Sequence, residues 1–208
     1  MPGYPLTEDA VGRWRRVVDV VQPRTLAVNL AVGVLAGLAA AHVRLGLGLP
    51  GHKLLLWMTP IVAARLLSRH PLGGTAGACA AGCTSLAFGG NLAGGILLLP
   101  LVGVAGAVLD GAAAFAEHRR LSRWLLVPLL GLGGTTAGAV CALKRLLTVT
   151  FNRHVMFGFG DVTTRLMSYA LFGLIAGTVG AGLALCLLAG RRHGDTPKGK
   201  PRGRRTAQ

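Results

Sequence analysis

Acidic residues are scarce in this sequence: Asp and Glu number 7 in 208 residues, against 22 Lys and Arg. So few carboxylates cannot build the converging acid cluster of a two-metal lipid phosphotransferase, and only Asp110 falls within an apolar stretch. Charged residues make up 14% of the chain, well below the roughly one quarter of a soluble domain. Aromatic residues, at 5%, are too sparse to interleave with the basic ones, so a net charge of +15 does not indicate nucleic acid as a partner. The GxxxxGK[ST] phosphate loop is absent, which excludes ATP hydrolysis of that type. G-x-S-x-G is absent too, which weakens an acyl-transfer reading. The 4 cysteines all fall in apolar segments, so no extracellular disulfide framework follows. Cys79 and Cys83 share a helix face but read as small packing residues, and no metal or cofactor is expected.

What the chain does have is apolar length. Hydrophobic residues make up 52%, 32 glycines are spread through them, and the mean hydropathy is positive. The composition predicts an all-α integral membrane protein built as a Gly/Ala-rich bundle. Six apolar segments suggest six transmembrane helices, at Leu26–Val43, Leu54–Leu67, Gly73–Phe88, Gly95–Phe115, Leu125–Leu143 and Leu166–Gly190. They form a membrane domain over 26–190, between a basic amphipathic leader at 1–25 and a basic, disordered tail at 191–208. No apolar h-region marks residues 1–25 as a signal peptide. Of the 22 Lys and Arg, 16 lie on the side shared by leader and tail and 6 on the other, which places both termini in the cytoplasm.

The second segment poses a question. In "LPGHKLLLWMTPIVAARLLSRHP", the charge-free run from Leu54 to Ala64 is framed by His52 and Lys53 before it and Arg65 and Arg69 after it. Pro60 stands inside the run, which is too short to cross a bilayer unaided. Arg65 and Arg69, four apart, are expected to snorkel to the cytoplasmic headgroups and hold the span at depth. Trp57 falls one turn beyond Lys53 on the same face. An ammonium at a mouth with an aromatic ring below it suits a flat, anionic solute.

Cations also gather where orientation signals should have kept them away. The outer face is expected to carry His52, Lys53, Asn91, Lys144, Arg145, Asn152 and Arg153 beside Trp57, with Lys144, Arg145 and Arg153 in the loop between spans five and six. Asp110, near the inner end of span four, needs a cation, and Arg65, Arg69 and Arg119 are the candidates. A structural ion pair is favoured over a proton relay, because no second carboxylate accompanies it within a span. Small residues recur four apart, as at Ala27/Ala31, Gly33/Gly37, Gly73/Gly77, Gly134/Gly138 and Gly173/Gly177, a pattern that permits close helix contact.

About 200 residues, six Gly/Ala-rich spans, cytoplasmic ends and no ATPase motif resemble the substrate-binding component of energy-coupling factor (ECF) transporters. In that family an Ala-x-x-x-Ala face on the first span packs on the coupling machinery, and "AVNLA" at 27–31 is similar, with Ala27 and Ala31 in the small positions. The resemblance implies a bacterial inner (plasma) membrane protein that binds a vitamin-like solute from outside. Its implied partners are a transmembrane coupling subunit, ATPase subunits and membrane lipids, with no catalysis of its own. The histidine segment of the cobalt and nickel members is absent from the N-terminal region. Two other classes stay open: a small membrane scaffold or assembly protein, and a membrane enzyme acting on a lipid phosphate.

Overall fold

The computed structural model describes residues 23–43, 51–89, 99–151 and 159–194, with backbone alone at 123, 144–151, 159–161 and 191–194. Every regular element among these residues is helical: α1 Pro23–His42, α2 Leu54–Ser68, α3 Gly73–Ala87, α4 Leu99–His118, α5 Arg123–Phe151 and α6 Phe159–Gly194. Four of them, α1, α4, α5 and α6, are long and apolar enough to cross a membrane. At 15 residues each, α2 and α3 reach only about 22 Å, short of a hydrocarbon core of about 30 Å.

Several helices extend beyond the apolar segments. The helix around the first segment begins at Pro23, inside the stretch read as leader. The last runs to Gly194, four residues into the stretch read as tail. Most notably, α5 continues eight residues past Leu143. Hydropathy marks where hydrocarbon ends, whereas a helix ends where its backbone bonding does, and "LKRLLTVTF" has no Gly or Pro to stop it.

The helices alternate in direction and pack as a ring in the order α1, α2, α6, α5, α4, α3, closed by α3 against α1, with α2 also touching α3 and α4 across the middle. This arrangement answers the question of the second segment. The short α2 is the innermost helix, with Leu54, Trp57, Met58, Ile61, Val62, Ala63, Ala64 and Leu66 in the core, and it runs unbroken through Pro60. A helix shielded by protein on most sides does not need to match the bilayer's thickness.

Two seams bring backbones together. A Cβ on Gly134 would collide with the carbonyl of Gly173, and one on Gly173 with the carbonyl of Gly134, so α5 and α6 meet where neither has a side chain. A Cβ on Gly33 of α1 would likewise collide with the Gly77 carbonyl of α3. The remaining backbone feature is at two corners. Arg69 (φ 53°) and Arg120 (φ 48°) are the non-glycine residues in left-handed conformation among those described, each just beyond a helix. Glycine usually fills this cap position, and a residue with a Cβ there costs roughly 1–2 kcal/mol.

Candidate functional site

Four of the five polar side chains buried among the described residues, Asn29, Arg65, His70 and Asp110, gather at the end where α1 begins, α2 ends, α3 begins and α4 ends, while Ser85 lies near the far end of α3. Asp110, on α4, lies 5% exposed against the first turn of α3. Its Oδ1 accepts from the Gly74 N–H at 2.8 Å and its Oδ2 from the Thr75 N–H at 2.7 Å. The Thr75 hydroxyl donates to Oδ2 at 2.7 Å. The carboxylate therefore occupies the positive end of α3 and satisfies two backbone donors that a helix start leaves without partners. Arg65, 2% exposed, donates from Nε to Oδ1 at 2.9 Å, completing the neutralisation. Its Nη1 donates to Glu117 Oε1 at 3.3 Å, two turns further along α4.

The expected ion pair is present, and of the three candidate cations the partner is Arg65. This corrects the reading of Arg65 as a snorkelling anchor: an internal carboxylate draws the guanidinium into the bundle, and only Arg69 is exposed. It also adds Glu117, which the sequence reading missed by ending span four at Phe115. Asp110 and Glu117 stand seven apart, two helical turns on one face, and that spacing was available as a signal.

A second polar group lies beside the first. Asn29 of α1 donates from Nδ2 to the Thr25 carbonyl and to Ser68 Oγ, each at 2.7 Å. His70, in the α2–α3 connection, accepts the Leu72 N–H at Nδ1 at 3.2 Å. That assignment leaves the other ring nitrogen carrying the proton in neutral His70, and this Nε2, like Asn29 Oδ1, is buried without a hydrogen-bond partner. These bonds join four helix termini at one end of the fold.

The residues expected to bind a solute are at the opposite end where the structure describes them. His52 and Lys53 are half-buried in the turn that starts α2, and Trp57 is one turn along, as the spacing predicts. Trp57 is buried rather than open to a mouth, and its indole N–H has no acceptor. Lys144 and Arg145 stand on α5, not in the following loop where they were expected, because the helix outlasts the apolar run. Asn91, Asn152 and Arg153 lie outside the described residues. The structure therefore brings His52, Lys53 and Trp57 together on one short segment, next to Tyr169 of α6, against which Gly51 packs.

The five small-residue pairs have different surroundings. Gly33/Gly37 and Gly73/Gly77 face neighbouring helices, as do Gly134/Gly138 and Gly173/Gly177. Ala27 and Ala31 are exposed, on a face of α1 with Val28, Leu30, Val34 and Leu35, which are exposed as well. Among the described residues no three His, Cys, Asp or Glu are grouped to hold a metal ion.

An all-helical bundle, four of whose helices can cross a membrane, is the class that these observations define. No protein-family profile, curated protein or solved structure matches the chain.

Proposed function

We propose that this chain is the solute-binding subunit of an ECF-type uptake transporter. In this reading it spans the bacterial inner (plasma) membrane six times, with both termini cytoplasmic. It takes a small, vitamin-like, anionic solute from outside and works with a coupling subunit and ATPase subunits. The observation that carries the reading is the outward exposure of Ala27 and Ala31. The other four small-residue pairs are consumed by packing inside the bundle, so this one remains for a partner helix. Further support comes from Trp57, whose buried indole N–H lacks an acceptor one turn from Lys53. A buried donor without a partner is costly, and an anionic ligand would supply the acceptor.

The test begins with the purified chain. Small molecules released from it on denaturation are identified by mass spectrometry, and the reading expects one anionic, heteroaromatic compound in stoichiometric amount. Lys53→Ala and Trp57→Phe should each weaken binding of that compound at least tenfold, about 1.4 kcal/mol. Ala31→Trp should abolish uptake in cells and leave binding intact. Release of lipid alone would overturn the reading in favour of the scaffold or the lipid enzyme, and turnover of a lipid phosphate would select the enzyme.

A further inference from the structure

The two left-handed arginines lie at the same end of the bundle. Arg69 follows Arg65 by one turn, and Arg120 follows Glu117 by three residues, while Arg65 and Glu117 are in contact at 3.3 Å. Arg119 beside Arg120 is exposed, with its guanidinium carbon 5.8 Å from the centre of the Phe115 ring. Trp124, in the first turn of α5, is 89% exposed. Both helix ends are closed by backbone bonds, Arg69 N–H to the Arg65 carbonyl and Leu121 N–H to the Ala116 carbonyl, which glycine would form with less strain. Neither turn therefore needs the arginine side chain that it carries.

We propose that the end of the bundle that carries Arg69, Arg119, Arg120 and Trp124 holds an anionic phospholipid. Its charge is in excess: Asp110 and Glu117, the carboxylates described at this end, share Arg65, so one negative charge stands against the three arginines. A phosphodiester can accept from two guanidinium groups, and arginine is suited to that geometry. Below the cations the surface is apolar, with Phe115 and Leu125 exposed alongside Trp124, which gives acyl chains a track continuous with the helix faces. An acidic soluble protein would use the charge and leave that track uncovered. A lipid uses both, and an exposed tryptophan beside arginines suits the headgroup level. The inference is independent of the transporter reading.

The test uses the full-length chain in dodecyl maltoside micelles doped with phosphatidylglycerol or, separately, with phosphatidylcholine. Apparent lipid affinity is read from the concentration dependence of the thermal unfolding midpoint. Phosphatidylglycerol should raise the wild-type midpoint at concentrations where phosphatidylcholine has no effect. The double variant R69G/R120G should need about tenfold more phosphatidylglycerol or beyond for the same rise. In phosphatidylcholine its midpoint should equal or exceed that of the wild type, because glycine relaxes both corners. An unchanged response to phosphatidylglycerol in the double variant would overturn the proposal. A lowered midpoint in phosphatidylcholine would do so as well, by making the arginines structural. So would an equal wild-type rise with inorganic phosphate, which would mark a free-anion site.

Discussion

The polar end and the α5–α6 seam hold helices together by opposite means. At the polar end, three helices are tied by a few bonds on one carboxylate: Arg65 from α2, Gly74 and Thr75 from α3, and Asp110 from α4. Along the seam the closest approach is between main chains, where Gly134 and Gly173 let two backbones touch. Burying apolar groups adds little between helices already in lipid, so association rests on close packing or on hydrogen bonds, and this fold uses each in a different place. The lock is concentrated and breaks at one residue. The seam is distributed and breaks wherever volume is added.

Asp110→Ala should have the largest effect. It strands Arg65 in the interior and returns two N–H groups of α3 to an unsatisfied state, a loss of about 3–5 kcal/mol in reversible unfolding from micelles. Gly134→Val tests the seam: a branched side chain against the Gly173 carbonyl forces α5 from α6, at about 1–3 kcal/mol. Weakening of the α5–α6 contact is the signature to seek, by cross-linking of engineered cysteine pairs along the two helices. Glu117→Gln should cost under about 1 kcal/mol, because its carboxylate is half-exposed and solvent screens the pair. Ala27→Trp sharpens the comparison from outside both regions. Stability should change by no more than about 0.5 kcal/mol, since the site is exposed, while uptake fails if the face docks a partner.

The sequence carried the seam more fully than the lock. Glycines four apart on α1, α3, α5 and α6 announce close packing, although only the structure shows which pairs meet and that Ala27 and Ala31 are exposed. A buried Asp110 announced a cation, but three arginines fitted, and sequence spacing alone could not choose among helices. Reading Arg65 as a snorkelling anchor failed because that rule considers a helix in lipid, and α2 is a helix in protein. The spacing of Lys53 and Trp57 was legible, the surroundings of Trp57 were not. Lys53 and Trp57 keep their one-turn relation, yet the burial of Trp57 depends on α2 being central, a property of topology that no local pattern contains. Lys144 and Arg145 were misplaced for a simpler reason: charge ended the apolar run without ending the helix.

The lock is tested most directly by a double-mutant cycle on its two charges, with Arg65→Met, Asp110→Ala and the pair together measured by reversible unfolding in one micelle system. If one ion pair ties α2 to α4, removing either partner leaves the other buried and uncompensated. The double variant should then be less destabilised than the sum of the two singles by at least about 1.5 kcal/mol. Strict additivity of the two losses would contradict the account, because the two charges would then contribute independently.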